Sequence, residues 1–172
     1  TLRAARMTCR TSGSTGKPKG AAVYHRGEVN LLRWYRDALS LNQNDVFLLM
    51  SATGFDLTQK NLWGPLSTGA SIVLPASDSY DPQHLADLVA REHVTVINCA
   101  PSAFYPIVEQ EQHPDYPFTS LRSVVLGGEP IRLSALDAWR NDPRMDVALI
   151  NIYGPTECSD VVASYTLRSR EH

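Results

Sequence analysis

The sequence has no strong charge of either sign, no long hydrophobic run and little cysteine. A formal net charge of −2 over 172 residues gives no basic field for a nucleic acid partner. No apolar run approaches the length of a membrane span. The first ten residues carry Arg3, Arg6 and Arg10 but not the apolar stretch of a secretory leader. Cys9, Cys99 and Cys158 lie far apart without a CxxC spacing, which reads as free thiols in a reducing cytoplasm. His25, His84, His93, His113 and His172 show no HExxH or other ligand spacing, so surface roles are expected for them rather than a metal centre built with cysteine. Internal repeats and low-complexity segments are also missing.

What is present is enough apolar residue, 43% of the chain, for one sizeable core. Short branched runs at 45–51, 71–74, 94–97, 123–126 and 147–151 read as buried strands. A last strand-like run covers 161–165. Helical patterns separate them. Residues 27–40 place Val29, Leu32, Tyr35 and Leu39 at helical spacing. Asp81 followed by Pro82 reads as a cap and first helical position of a helix to about residue 92. A third helix is expected over 133–141. A fourth, from Asp56 to about residue 67, should end early or kink at Gly64-Pro65. Alternating strands and helices predict an α/β fold, with a mostly parallel sheet flanked by helices. Polar residues 111–117 read as a loop.

Residues 11–20, TSGSTGKPKG, contain nothing that would fill a core. Glycines and hydroxyls of this kind can turn several backbone N–H groups toward one phosphate, and the same composition also makes a solvated linker. A Walker loop does not fit. Two residues rather than four separate Gly13 from Gly16-Lys17, and Pro18 stands where Ser or Thr would meet magnesium. A GxxG clamp for nucleic acid lacks the basic, aromatic face it needs.

The order of residues in this loop closely resembles the phosphate-loop signature of the adenylate-forming enzymes: acyl-CoA synthetases, luciferases and the adenylation domains of nonribosomal peptide synthetases. Residues 151–157, NIYGPTE, match that superfamily's NxYGPTE, and Gly127-Gly128-Glu129-Pro130 falls where it holds adenine. Phe55-Asp56-Leu57-Thr58 resembles the FDxS element of the peptide-synthetase branch, in which the aspartate binds the substrate's α-ammonium group. Acyl-CoA ligases have no ammonium to bind. Locally, Asp56 also reads as a helix cap. The resemblance covers nearly the whole chain from Thr11 onward.

The resemblance implies a fold and a chemistry. The fold would be part of the large N-terminal subdomain of an adenylate-forming enzyme, with residues 1–172 a partial adenylation domain and the C-terminal subdomain absent. The family's ribose-binding Asp and catalytic Lys have no counterpart before His172, so this chain alone is expected to be inactive and poorly soluble. The reaction is attack of an amino acid carboxylate on the α-phosphorus of ATP, followed by transfer of the acyl group to a phosphopantetheine thiol on a peptidyl carrier domain. Joining two anions requires charge neutralisation and in-line alignment. Thr11, Ser12, Gly13, Ser14, Thr15, Gly16, Lys17 and Lys19 would belong to the phosphate loop. Thr156 would hydrogen-bond the α-phosphate, and Glu157 would ligate Mg²⁺. Tyr153 would stack on adenine beside Gly128, Glu129, Pro130, Asn151 and Gly154. The resemblance thus makes Thr156, Glu157 and Lys17 the catalytic set.

Counted onward from Asp56, the family's side-chain positions are Leu57, Lys60, Asn98, Val125, Gly127, Ile152, Asp160 and Val161. Leu57, Val125, Ile152 and Val161 are equally plain core residues. Lys60, Asn98 and Asp160 need partners if buried. A Lys60–Asp160 pair would leave a nearly neutral pocket and favour a polar substrate such as glutamine. Other readings are an acyl-CoA-ligase-like member, or a non-catalytic fragment that binds nucleotide or amino acid. One departure stands out: family members enter the loop from an apolar strand ending in Tyr, where this chain has Arg6-Met7-Thr8-Cys9-Arg10. Burying those charges is expensive, so either 6–10 is not a strand or the segment is altered.

Overall fold

The computed structural model describes residues 6–11, 19–76, 79–111 and 118–168. Its centre is a six-stranded sheet in the order β4-β3-β5-β6-β7-β8. Five strands, β3 (Val46–Leu48), β4 (Ser71–Val73), β5 (Val96–Cys99), β6 (Ser123–Gly127) and β7 (Ala148–Tyr153), run parallel. The edge strand β8 (Ala163–Arg168) runs antiparallel to β7. β5 and β6 are buried at every position, as expected of parallel strands covered on both faces.

Helices cover both faces. α3 (Pro82–Arg91), α4 (Pro101–Glu111) and the short α5 (Asp137–Arg140) enclose an apolar layer in which Leu48, Ile97, Val124, Leu126 and Leu149 meet Val89, Phe104, Ile107 and Trp139. α1 (His25–Leu39) and α2 (Asp56–Thr68) lie on the other face, where Tyr35 and Leu39 pack on Phe47, Val96, Val125, Ile150 and Ile152. Among the described residues no helix is long and apolar enough to cross a membrane.

Several expectations need correcting. Residues 6–10 do form a strand: β1 (Arg6–Thr11) pairs antiparallel with β2 (Lys19–Tyr24), which the sequence pattern did not reveal. The two form a separate ribbon rather than part of the six-stranded sheet. α2 passes through Gly64-Pro65 and ends at Gly69, which takes the left-handed conformation at φ 75°. The hydroxyls of Ser67 and Thr68 donate to the Gly64 and Pro65 carbonyls, and packing of the helix outweighs its internal proline. The helix expected over 133–141 is broken into a 3₁₀ turn, Leu133–Ala135, and α5. α4 was not anticipated, with Pro101 at its start and Pro106 inside it. The last strand begins at Ala163 and finds its partner in the preceding strand. The Asp81 cap is as expected, its Oδ1 accepting from the Gln83 and His84 N–H groups at 3.0 and 3.2 Å.

Candidate active site

The C-terminal ends of parallel strands are where an α/β sheet presents its loops, and ligands bind there. In this chain that edge gathers Asn98 near the end of β5, Gly127 ending β6, Ile152 near the end of β7, and the N-terminus of α2. Strand alternation puts Asn98, its register partner Val125, and Ile152 on the α1/α2 face. Gly127 lies against Ile152 so closely that a Cβ would come 2.5 Å from Ile152 Cγ1.

Asp56 is the first residue of α2, and Phe55 precedes it as the cap, with no side-chain capping bond. The cap reading of Asp56 is therefore corrected by one position. Its Oδ1 accepts from the Leu57 N–H at 2.7 Å, an interaction favoured by the helix N-terminus. Its Oδ2 accepts from the Thr156 hydroxyl at 2.5 Å. That bond joins the two motifs across 100 residues of sequence.

One helical turn on from Asp56, Lys60 is wholly buried and its Nζ donates to Asp160 Oδ2. The anticipated pair is thus present. Burial pushes the Lys60 ammonium down, against the opposing pull of Asp160. Burial pushes the Asp160 carboxyl up, against the pull of Lys60. Ser159 and Asp160 hold left-handed φ values of 65° and 73°, conformations that cost non-glycine residues about 1–3 kcal/mol each. Gly154 explains how the loop closes: a Cβ there would lie 1.9 Å from the Asp160 carbonyl oxygen. The turn is pinned by Cys158 N–H to Pro155 O and Val162 N–H to Tyr153 O.

The sequence motifs assign no site role to three further residues. Glu28, in the first turn of α1, is buried, and its Oε1 has no hydrogen-bond partner among the described residues. Burial first, then the neighbouring Asp160, push its carboxyl up. Asn61 and Tyr35 are buried at 1% and 0% exposure. Tyr35 Oη donates to Asn61 Oδ1 at 3.3 Å, and Asn98 Nδ2 donates to the same oxygen at 2.8 Å. The available signal was Asn61 beside Lys60: two polar residues in a helix that must be covered.

The other expected residues are placed as follows. Tyr153 is 73% exposed, Asn151 and Glu157 are exposed, and Thr156 is half-buried. Leu57 and Val161 are half-buried. Gly128 and Pro130 are exposed, and the Glu129 carboxylate accepts from Ser102 Oγ and Ser102 N–H at 2.9 and 3.1 Å, capping α4. Glu157 and Ser159 border an open cleft of about 1330 Å³ with Tyr24, His25 and Arg26. Among the described residues no three acidic, His or Cys side chains gather as a metal cage. A Mg²⁺ ion bound through Glu157 would take its remaining ligands from phosphate oxygens and water, which is ordinary for that ion. Thr11 and Lys19 are register partners at the end of the β1–β2 ribbon from which residues 12–18 depart. Ser12, Gly13, Ser14, Thr15, Gly16 and Lys17 lie outside the described residues, and so does the expected juxtaposition of Lys17 with Glu157. The described neighbour of that loop, β2, packs beside the 3₁₀ turn Thr156–Cys158.

Comparison with known proteins gives the family and the fold. Residues 6–172 match the family model described as AMP-binding enzyme. Indigoidine synthase of Streptomyces lavendulae is 37% identical over 149 residues, covering 86% of this chain and 11% of that protein. The nonribosomal peptide synthetase FmoA3 in its α-methyl-L-serine-AMP-bound form superposes with a TM-score of 0.83 at 30% identity, over 93% of this chain and 18% of the other. The N-terminal subdomain of Klebsiella oxytoca NpsA superposes with a TM-score of 0.77 at 25% identity, over 93% of this chain and 40% of the other. The chain therefore spans a small part of the proteins it matches.

Proposed function

The chain belongs to the AMP-binding enzyme family, and on that premise we propose that it is the substrate-selecting part of a domain that activates an amino acid as its adenylate. The adenylate is then delivered to a phosphopantetheine thiol on a carrier domain in cytoplasmic nonribosomal peptide synthesis. The observation that carries this reading is the Asp56–Thr156 hydrogen bond. An amino acid bears its ammonium group one carbon from its carboxylate. A carboxylate for the first must therefore sit beside the group that handles the phosphate attacked by the second. Asp56 and Thr156 are such neighbours.

In this reading Asp56 binds the α-ammonium group by charge-assisted hydrogen bonds. Thr156, whose hydroxyl is held at Asp56, turns to the α-phosphate and steadies the charge that builds there. The loop from Thr11 to Lys19 holds the outer phosphates, and Tyr153, exposed at the end of β7, covers adenine. ATP supplies the phosphoryl centre, and Glu157 would hold a Mg²⁺ ion that would offset its negative charge. The side-chain site lies between α2 and β5–β7. Its deepest charges, Lys60 and Asp160, cancel, which favours an uncharged polar side chain.

The test is amino-acid-dependent ATP–pyrophosphate exchange by the complete domain that carries these residues. Asp56→Ala should depress exchange for every amino acid, because all share the ammonium group. Lys60→Leu leaves Asp160 unpaired and should shift preference toward ornithine or lysine by about 1–3 kcal/mol. Exchange that survives Asp56→Ala undiminished would sink the reading.

A further inference from the structure

The three buried polar side chains Tyr35, Asn61 and Asn98 form a network whose donor and acceptor directions are fixed by backbone groups. Asn61 Nδ2 lies 2.9 Å from the Asn98 carbonyl oxygen. A carbonyl only accepts, so the Asn61 amide must present nitrogen there and oxygen on its other side. That oxygen receives the Tyr35 hydroxyl and faces Asn98 at 2.8 Å. Two acceptors, Asn61 Oδ1 and the Leu57 carbonyl at 3.3 Å, therefore both require the Asn98 amide to turn its nitrogen toward α2. Its oxygen is left over. Asn98 is wholly buried, and its Oδ1 has no hydrogen-bond partner among the described residues.

A buried acceptor without a donor is costly, and a native site that keeps one has a reason for it. Flipping the amide would not relieve it, because the flip would set oxygen against Asn61 Oδ1 and the Leu57 carbonyl. We propose that Asn61, braced by Tyr35, is a positioning residue that locks the Asn98 amide with its oxygen as the open acceptor of the side-chain site. The amino acid selected is then one whose uncharged side chain carries a hydrogen-bond donor, a hydroxyl or an amide. This rests on the proposed reading of the region as an amino acid site, and it adds a direction to it. Lys60 and Asp160 satisfy each other's charge, so what remains unmet on the β5 side is an acceptor without a charge.

The experiment compares near-isosteric pairs in pyrophosphate exchange by the complete domain: threonine with valine, asparagine with leucine, glutamine with methionine. In the wild type, at least one pair should favour the donor-bearing member by about tenfold or more in kcat/KM. The Tyr35→Phe/Asn61→Leu double variant removes the lock without stranding the tyrosine hydroxyl, and the preference within that pair should fall about tenfold. Asn61→Asp keeps an acceptor toward Asn98 and, when protonated, a donor toward the carbonyl, so it should retain the preference. Thermal denaturation shows whether each variant is folded. Should the double variant not fold, Asn98→Leu removes the acceptor itself and should favour the apolar member. If no pair favours its donor-bearing member, or if every variant lowers both members equally, the proposal is overturned. A wild type that exchanges with no amino acid at all sinks the functional reading itself, and this inference with it.

Discussion

Two aspartates, Asp45 and Asp160, each bind one basic side chain, at opposite ends of the same sheet. Asp45 stands just before β3. Its Oδ1 accepts from Arg122 Nε and the Thr95 hydroxyl, and its Oδ2 from Arg122 Nη2 and the Asn42 N–H, all within 2.7–2.9 Å. Arg122 also donates to the Leu39 carbonyl at 2.6 Å, tying the end of α1 to the start of β6. Asp160 lies at the other end, on a left-handed turn, with Lys60 Nζ as its described side-chain partner. Glu28 nearby has an unsatisfied oxygen, and Asn98 Oδ1 is unmet on the same face. The difference teaches what each end is for. A fully satisfied pair fastens elements together. A pair set in a strained turn among unmet polar atoms leaves capacity for something that binds.

Breaking the second pair should have the larger effect. Lys60→Leu leaves a buried carboxylate without its cation and should cost about 3 kcal/mol in urea denaturation, the low end for a broken buried pair. The low end applies because the Asp160 carboxyl, already pushed up by burial, can take up a proton. Lys60→Leu combined with Asp160→Asn should recover most of that loss, since a neutral amide leaves no buried charge and asparagine tolerates the left-handed turn. No recovery in the double variant would show that the ion pair itself holds the fold.

Breaking the first pair is a smaller matter with a clear pH signature. Burial raises the Asp45 carboxyl, but its bonds from Arg122, Asn42 and Thr95 outweigh burial and hold it below the ordinary carboxylate value. A carboxyl depressed in the folded state stabilises above its unfolded value, near 4, and loses that contribution as pH falls through the folded one. Asp45→Asn should therefore cost about 2 kcal/mol at pH 7, discounted for the solvent-facing side of Arg122, and less as the pH drops below about 4. Thermal melts of both proteins from pH 7 to pH 3 should converge at the acid end. Parallel curves would remove Asp45 from the acid response.

The smallest effect sharpens the comparison instead of breaking it. Tyr35→Phe deletes one bond of 3.3 Å but leaves Asn61 Oδ1 its bond from Asn98, so the loss should be about 1 kcal/mol by denaturation. A loss several times larger would mean that the hydroxyl is a structural tie, as Arg122 is.

Much of the site was legible before the fold was known, because its motifs are local. The loop of residues 11–20, the turn of residues 151–157 and Asp56 each announce a chemistry through residue type and order. Gly154 illustrates the limit. Its presence in the motif was plain, but its reason, the Asp160 carbonyl passing where a Cβ would be, belongs to the folded turn. The misread elements share a cause as well. Proline inside a helix, at Pro65 and Pro106, argues for a break when it is weighed locally, and packing on the sheet overrides it in α2 and α4. Pro101, in contrast, stands at the first helical position, which suits it. Residues 6–10 form a strand that pairs with β2 and not with the six-stranded sheet, a pairing that no local sequence pattern announced.

The sequence by itself determined the α/β class, the parallel sheet and the chemistry of the motifs, because hydrophobic periodicity and short-range residue order act within a few residues of each position. Only the tertiary structure decided which polar groups meet. The Lys60–Asp160 pair, the Asp56–Thr156 bond and the Tyr35–Asn61–Asn98 network each span dozens of residues of chain. Their energies depend on distance, direction and exclusion of water, and none of the three exists until α1, α2 and the strand ends are packed together.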